Sequence, residues 1–180
     1  MECLAKNNPL FEIESIGLNI TWTLIELGLF NSINNTSYLN VDKIIQYMEY
    51  KVFEQNSTNE EFISLICIKD SDEEIKKLIK KYSQMEGADK DIQLKKWIVV
   101  GLKRKLDMLS DRVVDGLMDL TEFWLPYINE KWCPHKYHNL NNCDINPSEY
   151  FTQENYNKLI KANINWINSQ IQLIHKLEKM

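Results

Sequence analysis

The stretch CPHKYHNLNNC, residues 133–143, holds two of the four cysteines and two of the three histidines of a 180-residue chain. Thiolates and neutral imidazoles are ligands that zinc prefers, so Cys133, His135, His138 and Cys143 would give a tetrahedral set from one loop. The spacings C-x-H, H-x2-H and H-x4-C lack the paired C-x2-C knuckle of a zinc finger, and Pro134 stiffens the bend that C-x-H demands. A cysteine activated by His138, with Asp144 orienting the imidazole, would be a nucleophile. Such a site also needs an oxyanion hole, and nothing in the sequence marks one. The plainer alternative is a surface loop anchored by Trp132 and Tyr137. No cofactor is expected, with zinc as the weaker alternative.

Two other groupings carry charge. Asp111, Asp115 and Asp119 recur every four residues and so share one helix face, where they would bind a divalent cation or simply face lysines and solvent. Glu60, Glu61, Asp70, Asp72, Glu73 and Glu74 fall at or near the starts of two helices, where acids complement the helix dipole. Lys76, Lys77, Lys80, Lys81, Lys95, Lys96, Lys103, Arg104 and Lys105 read as the outer faces of two helices or as a phosphate-binding surface. The few interleaved aromatics argue against base stacking.

The elements that must position these groups are helices. Glycines number five and prolines four, which leaves little turn chemistry for hairpins. Asn19 or Thr21 caps a helix with Leu24, Leu27 and Phe30 inward. Asn40 caps one bearing Val41, Ile44, Ile45 and Met48, and Ser57 or Thr58 caps one bearing Phe62, Leu65 and Ile66. Ser71 opens a helix with Ile75, Leu78, Ile79 and Tyr82 on its stripe. The next carries Leu94, Trp97, Ile98, Gly101 and Leu102, with Gly101 suited to a close crossing. Val113, Val114, Leu117 and Leu120 follow, and Pro126 ends that helix. After a long loop near 125–148, Thr152 caps a last helix striped by Tyr156, Leu159, Ile160, Ile164, Ile167, Ile171 and Ile174. Trp22, Trp97 and Trp166 are expected in the core. Trp124 and Trp132 flank the loop and are expected on a partner surface.

The expected fold is all-α, an irregular bundle or short solenoid-like stack of about seven helices, in a single domain spanning 1–180. Apolar residues make up 44% and charged residues 26%, the balance of a folded globular chain. No apolar run reaches the roughly 18–20 residues of a membrane span, and no basic-then-apolar start marks an export signal, so the expected location is the cytoplasm. The net charge of -5 is unevenly spread. Residues 1–75 carry 4 basic and 13 acidic residues, residues 76–105 carry 10 and 3, and the remainder 7 and 10. An acidic whole disfavours nucleic acid, whose phosphates supply most of the affinity in such complexes.

The segments GLNITWTLIELGLFN, VDKIIQYM, FISLICI, SDEEIKKLI, LKKWIVVGLKRKL and LTEFWLP, in this order, resemble a bacterial family, domain-of-unknown-function family 2247. The resemblance covers roughly residues 10–135. The chain departs at Glu122-Phe123-Trp124, where the family pattern has Asp-Phe and then a Tyr-Pro segment. The resemblance implies no catalytic residues, and a context in which small bacterial proteins act as antidotes to secreted toxins.

Together these features lead to the expectation of a non-enzymatic helical binding protein, an immunity protein that occludes a toxin domain through an acidic surface. Glu60, Glu61, Asp70, Asp72, Glu73 and Glu74, with Trp124 and Trp132, are the expected partner-binding residues. The alternatives are a metal-dependent enzyme or zinc-stabilised protein centred on loop 133–144, and an RNA-binding scaffold acting through residues 76–105.

Overall fold

Side-chain caps fix most of the helix boundaries. A computed structural model describes residues 8–33, 36–135 and 146–179. Among these residues it contains nine helices and one two-residue antiparallel strand pair, Ser32–Ile33 with Thr36–Ser37. The described residues cluster into two compact units, with the boundary inside a helix, between Val100 and Gly101.

In the first unit, α1 (Pro9–Ser15) starts from Asn8, whose side chain accepts the Leu10 N–H, with Pro9 pre-set for the first helical position. The buried Asn8 amide also donates to the Lys43 carbonyl at 2.7 Å, which ties α1 to the next-but-one helix. Helix α2 (Trp22–Phe30) is capped by Thr21 and buries Trp22, Thr23, Leu24, Ile25 and Gly28. Gly28 has a packing reason: a Cβ there would lie 2.3 Å from the Trp97 ring. Asn40 caps α3 (Val41–Glu49), whose buried set of Val41, Ile44, Ile45 and Met48 follows the helical period. A π-helical turn, Tyr50–Glu54, ends that run.

Helix α4 (Glu60–Cys67) starts from Asn59, just beyond the expected Ser57 or Thr58, because the Asn59 side-chain Oδ1 accepts the Phe62 N–H. Helix α5 (Asp72–Glu86) buries Ile75, Ile79 and Ser83 and ends at Gly87, whose φ of 63° suits a residue without Cβ. Ser71 stands at its N-cap position but makes no side-chain capping bond. Helix α6 (Lys90–Asp107) supplies Trp97, Ile98, Val99 and Val100 to this unit's core. The Trp97 indole donates to the Leu24 carbonyl at 2.8 Å and stacks on Tyr38 at 4.9 Å.

The second unit begins with the end of α6 and continues through α7 (Val113–Trp124), a 3-10 turn (Leu125–Tyr127), α8 (Pro147–Tyr150) and α9 (Gln153–Leu177). Thr152 caps α9 as expected. Helices α7 and α9 approach closely at Gly116, where a Cβ would lie 2.3 Å from the Tyr156 hydroxyl; that hydroxyl donates to the Ser110 carbonyl. The core here is aromatic. Trp124 meets Trp166 edge to face at 5.1 Å, and Trp166 stacks on Trp132 at 5.8 Å.

The fold is all-α, as the periodicity requires. Trp22, Trp97 and Trp166 are buried as expected. Four positions depart from the expected placements. Phe30, at the end of α2, is exposed instead of inward, with the Lys80 ammonium over its ring. Trp124 is fully buried and so offers no partner surface: its indole donates to Asn163 at 2.6 Å, and Asn163, also buried, donates to the Leu159 carbonyl. Val114 and Ile164 are exposed instead of inward, because Gly116 and Asn163 sit on the packed faces of α7 and α9. No helix among the described residues is long and apolar enough to cross a membrane.

Candidate functional site

A concavity lies in the first unit around Trp22. Thr21 caps α2 and thereby sets Trp22 at the first helical position. Tyr82 from α5 tilts against the indole at 4.8 Å, and Phe62 from α4 meets it nearly edge-on at 5.6 Å. These rings line a cleft of about 460 Å³, with Ile20, Ile25 and Met85 supplying aliphatic wall and Thr21, Asn59, Glu61 and Glu86 the polar groups. That size and lining are typical of ligand sites.

Both carboxylates are held from one side. The Trp22 Nε1–H donates to Glu61 Oε2. The Thr23 N–H, in the first turn of α2, donates to Glu86 Oε2 at 2.9 Å, and the Thr23 hydroxyl lies 3.2 Å from the same oxygen. Glu86 thus sits at the positive end of the α2 dipole. Behind it, the buried Ser83 hydroxyl donates to Glu26 at 2.6 Å. Neither Glu61 nor Glu86 has a cation partner among the described residues, and the second oxygen of each accepts no hydrogen bond there. Aromatic faces beside uncompensated carboxylates favour an organic cation.

The six expected acids divide between two places. Glu60 and Glu61 open α4 beside the cleft, whereas Asp70 follows α4 and Asp72, Glu73 and Glu74 open α5. Six helical residues, 62–67, separate the two groups along α4, a rise of about 9 Å. Glu61 faces the cleft instead of the open surface. Glu73 pairs with Lys76 at 3.1 Å. Glu60, Asp70, Asp72 and Glu74 are exposed and have no ion pair among the described residues. Trp22, Phe62, Tyr82 and Glu86 were not expected as site residues. Tyr82 and Glu86, four apart on one helix, were the available signal on α5, but their meeting with α2 and α4 is tertiary.

The basic segment is not one solvated face. Lys96 is fully buried, with its Nζ donating to the Asn19 carbonyl at 2.7 Å. Lys80 lies over the Phe30 ring at 4.4 Å, and Lys105 pairs with Asp119 at 2.9 Å. Asp115 pairs with Arg112. Two of the three aspartates therefore meet basic side chains, whereas Asp111 is exposed and precedes α7, so it does not share that helix with Asp115 and Asp119.

Two members of the Cys/His set, Cys133 and His135, fall among the described residues; His138, Cys143 and the neighbouring Asp144 lie outside them. His135 is buried, with Nε2 3.1 Å from Thr121 Oγ1 and 3.4 Å from the Tyr150 hydroxyl. The Thr121 hydroxyl donates to the Leu117 carbonyl at 2.8 Å. Nδ1 of His135 has no partner among the described residues. Burial pushes the His135 imidazole down to about 4 and keeps it neutral. Burial pushes the half-buried Cys133 thiol up, and its hydrogen bond to the His135 carbonyl opposes this. A thiol so raised is protonated at neutral pH; the expected activating base His138 lies outside the described residues. No group of three or more His, Cys, Asp or Glu among the described residues is arranged to hold a metal ion. Trp132 is half-buried against Trp166, and its carbonyl accepts the Trp166 indole N–H.

Residues 11–171 match the model of a family described as an uncharacterized protein conserved in bacteria, DUF2247, and the chain belongs to that family. The match runs past Glu122-Phe123-Trp124 and through the loop, farther than the segments that carry the resemblance. No curated protein and no solved structure matches the chain.

Proposed function

We propose that this member of the bacterial family is a non-enzymatic binding protein, an immunity protein that neutralises a toxin by covering it with the acidic surface of its first unit. One observation carries the reading: Glu60, Asp72 and Glu74 in the first turns of α4 and α5, and Asp70 in the turn between them, stand exposed with no ion pair among the described residues. Exposed charges of one sign speed encounter with an oppositely charged partner and fix its register. A toxin that acts on nucleic acid presents such a basic surface. The test is co-expression with the product of the neighbouring gene. Wild-type protein should protect cells, and the fourfold variant Glu60→Lys, Asp70→Lys, Asp72→Lys, Glu74→Lys should not. Full protection by the variant would rule out the acidic surface.

A second reading, a metal-stabilised or metal-dependent protein built on Cys133, His135, His138 and Cys143, draws support from the Nδ1 of His135, which has no partner among the described residues. Tag-free protein would then carry one equivalent of zinc that Cys133→Ser removes. Metal-free protein with an unchanged fold would end that reading.

A further inference from the structure

We infer that the cleft at Trp22 is a receptor for the guanidinium group of an arginine side chain presented by a partner polypeptide. The inference deepens the proposed function, and it rests on the protein acting as a binding module. Three features of the cleft select this chemistry. Trp22, Phe62 and Tyr82 line a space of about 460 Å³, with Phe62 and Tyr82 half-buried and Trp22 packed between them, room for an arginine side chain and its flanking backbone. Glu61 and Glu86 line the same space, each with one oxygen fixed by Trp22 or Thr23 and the other unpartnered among the described residues. Fixing one oxygen restrains each carboxylate before the ligand arrives, which lowers the ordering cost of binding.

The choice of cation follows from those acceptors. A quaternary ammonium has no N–H to give and suits a closed aromatic cage. A guanidinium stacks on a ring and donates in its own plane to carboxylates, which a lysine ammonium does less well. A polypeptide source is favoured because the lining itself includes partner-accessible groups: Met85 is 70% exposed, and Glu86 is exposed as well. Chain residues on either side of the arginine would find apolar and acidic contacts there.

The test uses the full chain labelled with ¹⁵N and the capped tripeptides acetyl-Gly-Arg-Gly-amide, its citrulline counterpart and its lysine counterpart. The reporter is the Trp22 indole N–H, which donates to Glu61. The arginine peptide should move that resonance saturably, with a dissociation constant on the order of millimolar, as suits one anchored side chain. Citrulline has the same shape without the charge and should bind at least about tenfold more weakly, with lysine between the two. Free arginine should bind no more tightly than the peptide. The variant Glu61→Gln, Glu86→Gln keeps an amide oxygen to accept from Trp22 and Thr23, removes both charges, and should weaken the arginine peptide by at least about tenfold.

No saturable shift up to the solubility of the arginine peptide would overturn the inference, as would equal affinity for arginine and citrulline. Tighter binding of free arginine than of the peptide would overturn the polypeptide source. The wild-type titrations decide even if the double variant fails to fold. No toxin is needed, so the two proposals fail separately: a negative titration with acid-dependent protection intact removes only the cleft, and a positive titration without such protection removes only the toxin.

Discussion

Trp22 of the first unit is used in the opposite way to Trp124 and Trp166 of the second. In the second unit these two indole N–H groups are satisfied internally, as that of Trp97 is in the first: Trp124 donates to Asn163 and Trp166 to the Trp132 carbonyl, with the rings packed on one another. In the first unit Trp22 donates to a carboxylate at the edge of a cleft, and that carboxylate keeps an unpartnered oxygen among the described residues. A buried polar network that is fully paired specifies packing. A network with one side left unpaired can bind a ligand. The second unit's tryptophans therefore read as structure, and Trp22 as both structure and site.

That contrast is sharpest when each ring is removed. Trp124→Ala should cost toward the top of about 3–5 kcal/mol, because it opens a closed cavity and strands Asn163; Trp22→Ala should fall toward the bottom, since the vacated space joins an existing cleft. Denaturant unfolding measures both, and equal costs would erase the distinction. Next in size is a pH effect confined to the second unit. The folded-state pKa of His135, about 4, lies below its ordinary value of 6.5. The unfolded chain thus binds the proton first, and stability falls as pH drops from 6.5 to 4, by up to about 3 kcal/mol, then levels. His135→Gln should flatten that part of the stability profile relative to wild type.

Gly28→Ala should cost about 1–3 kcal/mol, because its Cβ would meet the Trp97 ring, a rigid neighbour. The smallest effect belongs to Thr21→Ala, about 1 kcal/mol for the lost cap. Since Thr21 sets the start of α2, this variant should also broaden the Trp22 indole resonance while leaving that of Trp124 unchanged.

Much of the fold was legible because caps and apolar periodicity are local. Asn40 and Thr152 cap helices as their sequences suggest, and the stripe of α3 is buried where the period places it. Helix α1 was readable too, from Asn8 followed by Pro9, but its seven residues give too little periodicity to stand out. Val114 and Ile164 were misplaced because hydrophobicity alone cannot reveal that Gly116 and Asn163 occupy the packed faces. Lys96 and Trp124 show the same limit, since burial of a polar or amphipathic side chain depends on a partner distant in sequence. Of the site, Glu61 was picked out for its charge. The cleft was not, because it joins one residue at the start of α2 with the start of α4 and the end of α5.

The central claim is that the acidic exterior of the first unit is what a partner meets. Its most direct measurement is the association rate with the neighbouring-gene product across a salt series, for wild type and for the variant with Glu60, Asp70, Asp72 and Glu74 changed to lysine. A wild-type rate that falls steeply with salt, and a variant at least about tenfold slower with a flat salt dependence, is the expected result. Equal rates and equal salt slopes for the two proteins would contradict it.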